Sequence, residues 1–500
     1  MQVVTRHFLL INLKNVQSEY CLTHKIHTSL PKFDKAVSPW LCYIFLPHSM
    51  IKGPSLNGKT TLAFSYTKVL CLSLLTLFLS ANVVFGSVPL PNINTQNVIK
   101  VTDAPYGAIG DGVITNTTAF QNAIDVAASG GETNGLSGGV VEIPAGVFLC
   151  GPLTMKSSVA LQLDRGAVVR MLPYDSYPNK KYPEDFLSAS SLHDIEITGS
   201  GMIDGQGIPW WPLARVHGAF RPRMISFNSC SRVLIENVTL TNSPMFHIAI
   251  RGKSSDVTVR GVTIRANPST DPVNPGHNTD ACDVSGKNIL IENCDVSVGD
   301  DNFTCGGNTS DVLITNCTYG YGHGVSIGSP TYGGVSNITV INCTFNNTEA
   351  GIRIKSDRDR GGHVHDLHYM NLQMTNVGIP ILIYGTYMAT NREYRNLDNL
   401  TAAIAVSYPE KPIVSRTPIY SDITFSNITA TVQTGRRAGL IWGLPEAPVK
   451  NITLEKVKIT ADKPFGIYDA QNIRLVDSQF VTPEGVNALS TTNAQVVIDP

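Results

Sequence analysis

Four short segments carry side chains able to hold an acid and move protons: Asn278-Thr279-Asp280, Gly299-Asp300-Asp301, Gly322-His323-Gly324 and Arg353-Ile354-Lys355. Each alone has an ordinary explanation. Paired aspartates usually mark a turn or a solvated loop, a histidine between glycines suits any tight turn, and Arg and Lys at i and i+2 make the charged face of an exposed strand. What the four share is phase, because each leads into or occupies a strand in the same series of coils. Stacked in that register, Asp280 lies over Asp301, His323 lies beside Asp300, and Arg353 and Lys355 extend the same surface one coil further. Two carboxylates about 5 Å apart in an effective dielectric near 20 repel by roughly 3 kcal/mol, or about two pKa units, enough to keep one protonated at mildly acidic pH. A carboxyl that donates and a carboxylate that activates water, on opposite sides of a glycosidic bond, are what inverting hydrolysis requires.

The elements that must position these residues are repeats. The segments 234–240, 259–264, 290–296, 313–319, 340–345, 369–374 and 424–430 are short alternating strands with Asn, or once Gly, at one fixed place. The markers Asn237, Gly261, Asn293, Asn316, Asn342 and Asn371 are 24, 32, 23, 26 and 29 residues apart, with a longer gap to Asn427. A period of this length signals a solenoid. Units rich in Val, Ile, Thr and Asn without a 3.6-residue period predict an all-β fold, a single right-handed parallel β-helix, with coils about 4.8 Å apart and open strand edges only at its two ends. Segments 138–155 and 159–169 read as further strands. One convincing helix precedes them in 106–129, with Thr117 or Thr118 as N-cap and Ala119, Phe120, Ala123, Ile124 and Ala127 on one face, placed to close the N-terminal end.

With 42% hydrophobic residues, 15% charged and a mean hydropathy of +0.03, the chain is neither disordered nor fibrous. Thirty-eight basic against 39 acidic residues leave no global charge to recruit nucleic acid or an anionic membrane. The apolar run Val69–Phe85 behind Lys52, Lys59 and Lys68 reads as a secretory signal cleaved near Gly86, with no stable membrane span afterwards. The expected organisation is an extended gene model over 1–49, a signal peptide over 50–86 and one β-helix domain over 87–500. Cleavage would leave seven of ten cysteines, an odd number that keeps at least one thiol free. Cys294, Cys317 and Cys343 occupy one place in three coils, where a core stack fits better than a disulfide. No Cys or His spacing supports a metal site. Of eleven Asn-x-Ser/Thr sequons, four coincide with the repeat marker, where a buried Asn ladder explains the Asn better than glycans do.

The four segments, in this order and spacing, resemble glycoside hydrolase family 28, the polygalacturonases, and the YGAIGDG…NTTAFQNAI stretch resembles the opening of pectin-lyase-like β-helix enzymes. The likeness runs from about Val98 to Ser478. It implies metal-free and cofactor-free inverting hydrolysis of α-1,4 galacturonosyl bonds in pectin, with homogalacturonan as the polysaccharide partner, by a secreted, monomeric protein of the cell wall. By position, Asp300 resembles the general acid and Asp280 and Asp301 the pair that activates water. His323 would orient or tune the acid, Arg353 and Lys355 would bind a galacturonate carboxylate, and Asn278 and Tyr387 would line subsites. Ala281 and Asn302 depart from the family's usual NTDG and GDDC or GDDA. Asn302 also lies in a sequon, where a glycan would block the cleft, so it is expected to be unmodified. Rival readings are a rhamnogalacturonan or xylogalacturonan hydrolase, a calcium-dependent pectate lyase using Arg353 as base, and a non-catalytic wall-binding β-helix. Two inserts, 207–222 with Trp210 and Trp211 and 388–417, either line sugar subsites, close one end of the cleft or anchor loops on the solenoid; endo versus exo action is not legible in them.

Overall fold

The computed structural model describes residues 86–131 and 134–499. The expected 1–49 extension and, but for Gly86, the expected signal peptide lie outside the described residues. The described chain winds into a right-handed β-helix whose 34 strands pair only in parallel, each with its counterpart one coil away. No described helix is long and apolar enough to cross a membrane.

Alternation of side chains builds the core. In successive coils Ile248 pairs with Cys282, Cys282 with Phe303, Phe303 with Val325, Val325 with Ile352 and Ile352 with Ile381. All six are buried, and each such side chain contributes roughly 1.5–3 kcal/mol by leaving water. Residues between them in sequence point outward, which places Asp283, Thr304, Ser326 and Arg353 in one external column. Cys294, Cys317 and Cys343 are buried in the core at equivalent places of three coils.

The Asn markers stack as expected, but they are not buried. Asn237, Asn293, Asn316, Asn342, Asn371 and Asn427 are all exposed. Each has a positive φ between 52° and 60°, and Gly261 in the same column has φ 62°. The position is a corner that needs left-handed backbone, which Gly and Asn adopt at least cost. Ladder bonds follow on the surface, where the Asn427 amide donates to Asn371 (2.9 Å) and that of Asn371 to Asn342 (3.1 Å). Residues 371 and 427 occupy adjacent coils, so the long gap between these markers is an insertion within one turn, not a missing repeat.

Helix Thr117–Ala128 buries Phe120, Ala123, Ile124 and Ala127 against the first coils, whereas Ala119 is only partly buried. Its N-cap residue is Asn116, not a threonine, and Asn116 makes no side-chain capping bond. The Asn116 amide instead pins the preceding loop through the Ile109 backbone (2.7 and 3.0 Å), and Thr117 accepts from the Gly151 amide. Trp210 and Trp211 are fully buried; they anchor the 207–222 insert and line no sugar site. The 388–417 insert forms two short helices, Arg392–Arg395 and Ala402–Val406.

The corner geometry sets a test. Asn371→Val loses the two ladder bonds and must hold a β-branched residue in left-handed backbone, whereas Asn371→Gly loses the same bonds without that strain. The valine variant should be less stable than the glycine variant by about 1–2 kcal/mol, read as the difference in urea midpoint times slope. Equal midpoints would mean that the ladder bonds, not the backbone, select Asn.

Candidate active site

Three strands that begin successive coils, Cys282–Val284, Phe303–Cys305 and Val325–Ile327, are preceded by the loops carrying Asp280, Asp300–Asp301 and His323, and the next, Ala350–Lys355, carries both cations. The loops are locked to each other by backbone and small side chains. Thr279 accepts from the Gly299 amide (2.9 Å) and donates to the Gly276 carbonyl (2.7 Å). Any Cβ on Gly299 would come within 2.1 Å of that carbonyl, so the glycine of GDD is required by the approach of the NTD loop. Asn302 is 1% exposed; its side chain accepts from the Gly324 amide (2.8 Å) and donates to the Tyr321 carbonyl (3.0 Å). It braces the turn that presents His323, and this engagement leaves no room for a glycan.

All eight residues singled out from the sequence, Asn278, Asp280, Asp300, Asp301, His323, Arg353, Lys355 and Tyr387, line one cleft of about 560 Å³. Asp301 is its electrostatic centre. Arg353 bonds one carboxylate oxygen of Asp301, Ser326 donates to the same oxygen (2.7 Å) and Lys355 to the other (2.9 Å). Burial opposes ionisation of Asp301, but Arg353, Lys355 and His323 overcome it and hold the carboxyl well below the ordinary range. The two cations therefore neutralise an aspartate, the role that competes with recognition of a substrate. Arg353 also donates to Ser326 (3.0 Å). Among the described residues Lys355 has one acceptor for its three protons, and it lies 5.3 Å from the Tyr387 ring centre.

Asp280 behaves in the opposite way. It is 6% exposed, and burial first, then Asp300 and Asp301, pushes its pKa well up. Its buried Oδ1 has no hydrogen-bond partner among the described residues. Asp300 accepts from its neighbour's amide (2.9 Å), from Asn278 (3.3 Å) and from His323 Nδ1 (3.0 Å). Burial would raise Asp300, but the bond to His323, the imidazole's charge and Arg353 together overcome it and lower the pKa. On the imidazole, burial and Arg353 oppose the charge while Asp300 and Glu349 support it, leaving the pKa raised to about 9. The surroundings thus favour the protonated forms of Asp280 and His323 and the ionised form of Asp300. Simple repulsion between acids predicts one protonated carboxyl, and the environment favours Asp280, which is buried beside two acids, over Asp301, which is as deeply buried but bonded to Arg353 and Lys355.

Asp300, Asp301 and His323 present potential metal-ligating atoms within 4.8 Å of one another. The donor set does not suit a divalent ion, because Asp301 already carries two cations and the imidazole is charged.

Two contributors are absent from the sequence reading. Glu349 accepts from His323 Nε2 (2.8 Å), and its own pKa falls to about 2 through that bond. Its phase is the overlooked signal, since its amide donates to the Gly322 carbonyl one coil away (2.7 Å). Arg221 donates to Asn278 Oδ1 (2.8 Å) from the 207–222 insert, where no periodicity marks it.

Replacing Glu349 by Gln removes one of the two anions that keep His323 charged, so the imidazole pKa should fall below about 9, as followed by NMR of labelled histidine. An unmoved titration would leave Asp300 as the sole support. Because the folded value exceeds the ordinary 6.5, the stabilisation from this charge is complete below about pH 6.5 and fades as pH rises through 9; the variant should lose part of it.

Residues 137–476 match Glycosyl hydrolases family 28. An endo-polygalacturonase of Pectobacterium carotovorum subsp. carotovorum is 33% identical over 387 residues, covering 71% of this chain and 86% of the relative. Among solved structures, the polygalacturonase from Erwinia carotovora ssp. carotovora is 27% identical, covers 84% of this chain and 99% of its own, and superposes with a TM-score of 0.55. The exopolygalacturonase from Thermotoga maritima, at 23% identity, covers 82% and 94% of the two chains with a TM-score of 0.61 and is alike in fold. With the family match spanning most of the solenoid and a relative one-third identical over most of both chains, this protein belongs to glycosyl hydrolases family 28 and is a glycoside hydrolase.

Proposed function

We propose that the protein is a secreted, monomeric polygalacturonase that hydrolyses α-1,4 galacturonosyl bonds of cell-wall pectin with inversion. The observation that carries this reading is the gathering of three aspartates in three distinct charge environments around one cleft, with cations alongside. Asp300 donates to the leaving oxygen and draws on the His323 proton 3.0 Å away. Asp301, ionised at every working pH, deprotonates water. Asp280 shares that work once it has lost its own proton, and its unpartnered Oδ1 suits a water held at the bond. Lys355, with protons to spare, takes the substrate carboxylate with Arg353 beside it, and Asn278 and Tyr387 line the flanking sugar positions. Lysis with Arg353 as base is disfavoured, because its pKa is pushed further up by Asp301.

The charge states set the pH profile. Activity should rise as Asp280 ionises, above the ordinary carboxylate range, and fall as His323 loses its proton toward about 9. A rate still climbing past pH 8 would contradict the assignment. Asp300→Asn should lower kcat on polygalacturonate at least about a hundredfold with binding largely intact; activity within tenfold of the parent would reject Asp300 as the acid. Lys355→Ala removes a charge-assisted bond, which contributes roughly 1.5–3 kcal/mol. It should raise KM for polygalacturonate about ten- to a hundredfold and alter turnover of methyl-esterified chains much less. Equal losses on both substrates would assign the lysine to Asp301 alone.

A further inference from the structure

The 207–222 insert does more than decorate the solenoid. Its base is fixed by Trp210, which meets Tyr174 and Tyr177 edge-on at ring distances of 4.7 and 5.4 Å, and by Trp211, whose indole donates to the Ser243 carbonyl (2.9 Å). From this anchor Arg221 reaches the site half-buried. One terminal nitrogen donates to the carbonyls of Pro244 (3.0 Å) and His277 (2.8 Å), and the other to Asn278 Oδ1 (2.8 Å). Arg215 of the same insert meets the His277 ring at 2.7 Å. Asn278 itself sits in left-handed backbone, φ 56°, so its side chain is aimed from a corner that needs holding.

A guanidinium has donors and no acceptor. The Asn278 amide must therefore turn its oxygen to Arg221, and its NH2 group is left facing Asp300 Oδ2 at 3.3 Å. The remaining Asp300 oxygen is taken by His323 and the Asp301 amide. We propose that Arg221 is a positioning residue for the acid: it sets the orientation of the Asn278 amide and, through it, the rotamer of Asp300. Both Nη1 protons are spent on backbone carbonyls and one Nη2 proton on Asn278, so both terminal nitrogens of Arg221 are anchored to the protein. Its charge lies near Asp280 and Asp300 and favours their ionised forms. The inference rests on the reading of Asp300 as the acid.

The test is a double-mutant cycle on polygalacturonate with the full chain, comparing Arg221→Met, Asn278→Ala and the double variant. Arg221→Met should lower kcat about ten- to a hundredfold with KM within about threefold, and in the Asn278→Ala background it should cost less than about twofold more. Its acid limb should move to higher pH, while Arg221→Lys, which keeps the charge but not the fork, should leave that limb in place and still lose kcat. Raised KM with unchanged kcat, or losses that multiply in the double variant, would overturn the proposal. Should Arg221→Met fail to fold, the lysine variant is read by the same cycle. A parent inactive on galacturonans would refute the proposed function instead, and the crystal structure of an Arg221 variant then decides this inference alone: a rotated Asn278 amide supports it, and an amide still donating to Asp300 overturns it.

Discussion

The site depends on one constraint, the stacking of parallel coils at a strand spacing of about 4.8 Å. Residues some 20 to 30 positions apart in sequence become vertical neighbours, so a function built on this scaffold is written as a phase, not as a local motif. Asp283, Thr304, Ser326 and Arg353 share one external column, and the loops just before those strands deliver the acids and the histidine. The same stacking imposes the small residues: Gly299 is needed because the coil above leaves no space for a Cβ, and Asn302 spans the gap between its own coil and the turn that presents His323.

Close stacking also creates an electrostatic problem, because acids placed one coil apart raise one another's pKa. The structure resolves it differently at each aspartate. Asp301 receives Arg353, Lys355 and Ser326 and stays ionised. Asp300 is matched by a histidine that is itself held charged by Glu349. Asp280 has no cation in contact among the described residues, and burial with the neighbouring acids favours its protonated form. On the proposed reading, this division supplies an acid, a permanent base and a titrating partner from three identical side chains.

What was legible in the sequence follows from what repeats. The strand period, the core rows and the convergence of Asp280, Asp300, Asp301, His323, Arg353 and Lys355 could be read because each recurs in register. The Asn column was legible as a position but not as a cause: period alone does not separate a buried ladder from an exposed left-handed corner, and the clue was Gly261, which has no side-chain amide with which to join a ladder. Thr117 was a plausible cap by residue type, but its hydroxyl is engaged with Gly151. Arg221 and the tryptophan pair lie in a non-repeating insert, where neither burial nor contact can be inferred from spacing.

The most direct test of the account is the anomeric configuration of the first products from an α-1,4 galacturonan, followed by proton NMR before mutarotation. Attack by water activated at the aspartates, on the face opposite to Asp300, gives the β-anomer first. Initial release of the α-anomer would require a covalent intermediate and would contradict the roles assigned to Asp280, Asp300 and Asp301.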